Sequence, residues 1–548
     1  MSNQEDLEQG LESELASIEA LRRRYLQQHP AAWLQREDPD VKRLMEAMAL
    51  FALRTRAASL RNLDALWQRL IGSYFDYLLE PLPSMAMLQA EPTPRLVEPG
   101  FIERGAEVRL SPLGDQSQQG VFCTQADLRY LPLQMQGLQI IERPAGARLL
   151  LVLRSRFPRT DAVGLLRLLV WCAAGYASSL RLHYALRSHL QRATVVYDEL
   201  ADAHTSGQLC GLSFGLHSEQ EAEADVRNPL CSVREFFHFP QQELFVNLQV
   251  PRATRPWSRC TLCLDLDPDW QIDPLLRPEV LHLYCTPMSN LRTAESASMS
   301  CDGTSYSHPI EHPEPDGQFS LQSVRGVYRM SEKGLVPLQL AAIAESDDED
   351  VYELEAPSKS GGEHRLLVRN PSAAARRQKL VVQARWHQPW FARAAVGRLA
   401  VSLPYRSTEG ADFTVLGEVC PAAEVPRRHE LSALLQILSL RMRPISSQAE
   451  LLQVLRALGA ADSTDYRRLL PRIKELQHEL LPERGRSAAG VRRHYRLAMA
   501  GVEPEEEALL WTFLGKVGAV LAAWSPDTAV ELEVQTGGTS LSIPVAAP

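Results

Sequence analysis

The stretch from Asp38 to Leu88 constrains this chain more than any other. It opens on Asp38-Pro39 and runs through Val41, Leu44, Met45, Met48 and Phe51. It continues with Leu63, Leu66, Trp67, Leu70, Ile71, Tyr74 and Leu78, and closes on Pro81-Leu82-Pro83-Ser84-Met85. Asp38 is placed to accept from first-turn N–H groups, and Pro39 at the first helical position loses no bond by lacking its own. The three- and four-residue spacings predict two successive one-sided helices, stopped at Pro81. Upstream, Leu7, Leu11, Leu15, Ile18, Leu21 and Tyr25 trace a further stripe, opposite a face rich in Glu, Gln and Arg. A helical hairpin cannot hide that much apolar surface, so another domain or another subunit is expected to cover it. The sequence points to a part of an assembly.

The remaining chain reads as an α+β multidomain protein: N-terminal amphipathic helices, β-rich middle domains and an α+β C-terminal domain. At 548 residues it exceeds what one hydrophobic core organises. The helical region is expected over 1–88. From Leu88, Pro92, Pro94, Pro99 and Gly100 punctuate, and short alternating runs such as Val121–Thr124, Leu149–Leu153 and Phe245–Val250 predict strands. With a helix over Ser178–Leu190, these make a β-rich domain over 89–255. Leu262–Leu266 and Leu281–Cys285 begin a second β-rich domain over 256–426, which carries an acidic loop near 344–362. The helical pattern returns in 427–548 with Leu431, Leu434, Leu435 and Leu438, then Leu451 to Leu458. Pro504 and Glu505–Glu507 open a last helix, and Val530, Leu532 and Val534 alternate as a strand.

A net charge of −9 argues against bulk nucleic-acid binding. The acidic N-terminus lacks an apolar secretion core, and the longest apolar run, Val163–Ala177, is interrupted by Arg167 and too short to span a bilayer. Nine cysteines without framework spacing fit a reducing compartment, so a cytoplasmic location is expected.

The motifs that carry chemistry are weak. Gly211-Leu-Ser213-Phe-Gly215 matches a hydrolase nucleophile elbow, but no apolar helix follows it, so Ser213 is a remote option only. Cys260-Thr-Leu-Cys263 has half-zinc-site spacing inside an alternating run, which would turn the two thiols to opposite faces. Asp265, Asp267 and Asp269 imitate a calcium loop, yet Trp270 and Leu276 stand where glycine and glutamate are required. Arg484, Arg486, Arg492, Arg493 and Arg496 surround Tyr495; this cluster fits a solvated strand edge best, then an acidic protein partner, and single-stranded nucleic acid least. No catalytic residue, metal site or cofactor is expected.

Several blocks, in order along the chain, resemble the TssF family, the baseplate wedge subunit of bacterial type VI secretion systems, itself similar to wedge proteins of contractile phage tails. They are Asp38-Pro39-x-Val41-x-Arg43-Leu44-x-Glu46, Pro81-x-Pro83-Ser84-Met85, Arg104-Gly105 to Phe122-Cys123-Thr124, and Arg234-Glu235-Phe236-Phe237-His238-Phe239-Pro240 through Phe245. Cys285-Thr286-Pro287-Met288-Ser289-Asn290-Leu291 is the most specific, and the leucine-rich Leu434–Leu440 follows. The chain departs from the family in lacking a proline near Ser73-Tyr74, in Arg441 where asparagine is usual, and in ending Val545–Pro548 without a tryptophan-proline element. The resemblance implies a structural, non-enzymatic protein. It would pair with a second copy of itself and a TssG-like subunit, and would dock TssK-, TssE- and VgrG-like proteins at a cytoplasmic baseplate on the inner membrane. A phage-tail or extracellular contractile baseplate is the alternative. Leu7, Leu11, Leu15, Ile18, Val41, Leu44, Met48, Trp67 and Leu70 are the expected partner-binding residues, some of them serving packing within the chain.

Overall fold

Two long helices lead into a body of sheets. In the computed structural model, residues 2–29, 39–114, 118–144, 146–216, 228–271, 273–302, 305–341, 350–355, 364–369, 377–395, 397–404, 410–424, 428–440, 443–482, 491–501, 503–536 and 539–543 are described. Helix α1 spans Ser2–Gln28 and α2 spans Pro39–Leu79. The two helices expected between Pro39 and Pro81 are therefore one. The chain offers no glycine or proline from Asp40 to Ile71, so nothing breaks the helix between the two apolar runs. Its one interruption is at Phe75, whose backbone (φ −139°, ψ 51°) is not helical. The proposed cap Asp38 lies outside the described residues.

The body draws neighbouring strands from distant parts of the sequence. A six-stranded sheet is ordered Leu399–Ser402, Glu107–Pro112, Gly120–Thr124, Cys285–Ser289, Met85–Pro92, Ala411–Cys420. The strand that follows α2 thus pairs antiparallel with Cys285–Ser289 on one side and Ala411–Cys420 on the other, across the sequence boundaries drawn at 88 and 255. A five-stranded sheet centres on Trp257–Leu266, between Leu190–Tyr197 and Gly146–Arg159. A four-stranded one centres on Phe245–Val250 and Gly164–Val170. These three sheets share one apolar core, with Phe122, Leu151, Leu248 and Leu262 all essentially buried. A separate small core, with Trp386, Val382 and Leu366, lies in residues 292–387 between the Gln378–His387 and Arg365–Arg369 sheets.

The third core is helical. Helix α3 (Tyr176–His189), α4 (Pro229–His238), the single turn α5 (Phe391–Ala394), α6 (Arg428–Leu440), α7 (Gln448–Ala457) and α8 (Glu507–Trp524) complete the described α-helices. All but α5 contribute to a cluster with the end of α2 and the final sheet. That sheet runs Ile473–Pro482, Val491–Met499, Ala529–Thr536, Thr539–Ile543; its last strand follows the one expected from Val530 to Val534. Helix α8 is long and apolar enough to cross a membrane by length and composition, but it is a core helix here, with Phe513, Leu514, Val517 and Leu521 fully buried. The Tyr176 and Tyr466 hydroxyls meet at 2.6 Å, and Lys516 pairs with Glu243 at 2.5 Å while lying 4.3 Å from the Phe236 ring centre. These contacts tie α3 and α4 to the C-terminal region.

Candidate docking surface

Helix α1 folds back along the first half of α2. Leu11, Leu15, Ile18 and Leu26 are half-buried, and they face Val41, Met45, Ala49, Ala52 and Leu53, of which Ala49 is fully buried. Gly10 leaves room for the Leu53 side chain: a Cβ there would stand 2.9 Å from its Cδ1. Arg56 closes the seam with an ion pair to Glu14 at 3.0 Å.

The α2 positions facing α1 follow a three–four spacing: 45, 49, 52, 56. Extended in the same rhythm, the seam reaches 59, 63, 66 and 70. There the cover stops: Leu63 is 38% exposed, Leu66 51%, Leu70 43% and Tyr74 50%. Nearer the start of α2, Leu44, Met48 and Phe51 are 61%, 53% and 72% exposed on the flank beside the seam. On α1, Leu21 and Tyr25 lie open rather than in the seam with Leu11 and Leu15. At 1.5 Å per residue, α2 carries these side chains along roughly 45 Å. That is a longer run of open large apolar side chains than scattered surface residues make.

The nine expected partner residues divide accordingly. Leu44, Met48 and Leu70 stand open. Leu11, Leu15, Ile18 and Val41 sit half-buried between α1 and α2, and Trp67 packs half-buried against the body core. The Leu7 side chain lies outside the described residues. Leu63, Leu66, Phe51 and Tyr74 were read from the sequence as apolar face residues of these helices but were not among the nine expected partner residues.

At its root α2 is gripped by the body. Ile71, Phe75 and Leu78 are buried in the helical core, and the Phe75 ring stacks on Trp524 of α8 at 5.9 Å. Arg234 of α4, 8% exposed, donates from Nη1 to the Tyr77 carbonyl at 2.6 Å. Burial lowers its pKa, with Glu80 nearby opposing the shift. Burial likewise lowers the pKa of His238 of α4, whose Nε2 donates to the Pro83 carbonyl at 2.8 Å. Gln322 donates to Glu80 Oε2 at 3.0 Å and to the Pro81 carbonyl at 3.4 Å.

The Cys285–Leu291 block is structural. Cys285–Ser289 is a fully buried strand. Asn290, 1% exposed, accepts from the Gln388 N–H at 2.5 Å and donates through Nδ2 to Val121 O (2.8 Å) and Gln388 Oε1 (3.0 Å). Gln388 in turn accepts from the Val121 N–H and donates to Gly317 O, both at 2.8 Å. Four distant chain segments are thereby joined by two buried amides.

Other motifs take no part in a site. Ser213 lies within the edge strand Gly211–Phe214, opposite Asn247, so the sharp strand-to-helix turn of a nucleophile elbow is not formed at it. Cys260 and Cys263 belong to different cores, on opposite faces of their strand. Among the described residues no group of three or more His, Cys, Asp and Glu is placed to hold a metal ion. Asp265 binds Arg148 and Arg143, and Asp267 binds His189. In the arginine cluster, Arg492 pairs with Glu531, and Arg496 with Glu479 at 2.7 Å, while Tyr495 is fully buried and offers no stacking face. Arg484 and Arg486 lie outside the described residues. So does most of the acidic run: Asp350 pairs with Arg329 at 2.5 Å, and Val351–Glu355 is a strand rather than loop.

The family model "Type VI secretion system, TssF" matches residues 3–362. One chain of a structure described as the "type VI secretion system TssK-TssF-TssG baseplate subcomplex" shares the fold with a TM-score of 0.74 at 17% identity, over 93% of this chain and 99% of that one. A chain of "the baseplate complex from the type VI secretion system" gives a TM-score of 0.61 at 16% identity, over 98% of each. No curated protein matches the chain in sequence.

Proposed function

The chain belongs to the TssF family of type VI secretion systems, and from that membership and its surface we propose that it is a structural wedge subunit of the baseplate, with the α1–α2 arm as its docking element. The carrying observation is the α2 seam, covered by α1 in its first half and bare at Leu63, Leu66 and Leu70 in its second. Such a face accepts an amphipathic helix that presents apolar residues at three- and four-residue spacing. A TssG-like subunit and a second copy of this chain supply the covering helices in this reading. Docking of TssK-, TssE- and VgrG-like proteins follows from the same membership, at a cytoplasmic baseplate attached to the inner membrane. The role is positioning within an assembly and requires no turnover.

The test is co-expression with the TssG-like protein of the same system, followed by mass measurement of the intact complex. Two copies of this chain with one of the partner are expected. A chain that stays monomeric beside a folded partner refutes the proposal.

A further inference from the structure

Every described strand of the two sheets around the small core lies between Arg292 and His387, so this part of the molecule is an insertion into the body with one neck. The chain enters at Arg292 and leaves at His387, and the two ends are neighbours: Arg292 stands opposite Trp386 in antiparallel register. Asn290 and Gln388 clasp the neck from the body side, and Gln322 ties the insert to the end of α2. The insert's core is far smaller than those of the body, so it opens at lower cost than they do.

Two buried histidines stand at this neck. His387, 5% exposed, ends the strand Gln378–His387 directly before Gln388, and its Nδ1 is buried with no hydrogen-bond partner among the described residues. His312, 8% exposed, lies between the rings of Phe319 at 4.1 Å and Trp386 at 5.0 Å. Its Nδ1 accepts from the Glu314 N–H at 3.1 Å, and its Nε2 is buried without a partner. An imidazolium carries N–H on both nitrogens, so protonation leaves a buried charged donor without an acceptor in each ring. Glu314 and Arg292, paired with each other at 3.3 Å, act on His312 in opposite senses. His364 opposes a charge on His387, and no carboxylate among the described residues reaches either of them. Beside His364 run His308 and Glu311, and Arg365 is held on Ser307 Oγ at 2.6 Å. Burial pushes His387 down to about 4 and lowers His312.

We propose that the insert is an acid-sensitive unit that opens at its neck, ahead of the body, as His387 and His312 take up protons. Opening withdraws Gln388 from Asn290 and Gln322 from the end of α2. In the open form each ring titrates near 6.5, so the closed form is fully favoured above that pH and loses ground as pH falls toward 4. Between pH 7.5 and pH 5, His387 alone shifts the balance toward the open form by about 25-fold.

Hydrogen exchange of the full chain, followed by mass spectrometry at pH 7.5 and pH 5 with intrinsic rates divided out, tests this. Exchange in the strand Gln378–His387 is expected to rise at least about 25-fold at the lower pH, while Trp257–Leu266 stays protected over the same labelling times. His387→Phe keeps a ring that cannot titrate and should cut the acceleration by about 25-fold. His312→Phe, which preserves the stacked rings, should reduce it as well. If His387→Phe does not fold, the unaltered chain and His312→Phe decide. Unchanged protection of the insert at pH 5, loss of protection in both strands together, or the full acceleration in the folded variants overturns the proposal.

Discussion

Asn290 and Gln388 satisfy each other inside the protein, and truncating either leaves buried groups of the other without a partner. Each unpaired buried donor or acceptor costs about 1–3 kcal/mol. Asn290→Ala is therefore expected to lower unfolding stability by about 3 kcal/mol, read as a drop in the denaturant midpoint; a change within about 0.5 kcal/mol would remove the latch from this account. Buried histidines make stability depend on pH, and in three of them the shift is large. Burial holds His183, His364 and His387 each at about 4. In the unfolded chain each titrates near 6.5, so between 6.5 and 4 the unfolded state binds more protons. Their contribution is complete above that window and is lost as pH falls through it. The denaturant midpoint should drop from pH 7.5 to pH 5, by on the order of 1–2 kcal/mol per histidine, and a flat profile contradicts their burial. Cys260 and Cys263 carry chemistry in appearance only: burial pushes the first thiol up to about 12 and raises the second.

At the scale of elements, periodicity was legible and continuity was not. The apolar rhythm gave the faces of α1 and α2, but the gap between the two runs of α2 looked like a boundary. Absence of a breaker decides otherwise, because Ala52–Asn62 has neither glycine nor proline and is rich in Ala, Leu and Arg, which propagate helix. The break at Phe75 comes just after the Gly72-Ser73 pair, a sequence at which helices kink, and the Phe75 ring there stacks on Trp524. Leu15 illustrates how one stripe divides between uses. It belongs to the seam within the hairpin, so Leu15→Glu should open α1 from α2. Faster amide hydrogen exchange is expected over 10–28 and 41–56, with none at the buried strand Trp257–Leu266. Equal exchange in both proteins would place Leu15 outside the seam. The Cys285–Leu291 block was readable as a signature but not as a latch, since Gln388 lies about a hundred residues away and no local pattern announces it.

On the scale of the whole molecule, class and character were legible: one-sided helices first, strands in the middle, helices and a sheet last. Sheet membership was not, because long-range pairing leaves no periodic trace. Met85–Pro92 finds partners near 287 and near 415, so the body holds the end of α2 in a framework built from most of the chain. The arm stands on that framework with half of its seam bare. A double charge substitution, Leu66→Glu with Leu70→Glu, separates docking from folding, since both side chains are about half exposed while the neighbouring Ile71 is fully buried. The most direct measurement is affinity for the co-produced TssG-like partner, taken alongside the melting temperature of the isolated chain. The account predicts that the double variant melts within about 2 °C of the unaltered chain and loses at least a hundredfold in affinity, about 2.7 kcal/mol. A double variant that binds the partner as tightly as the unaltered chain would contradict it.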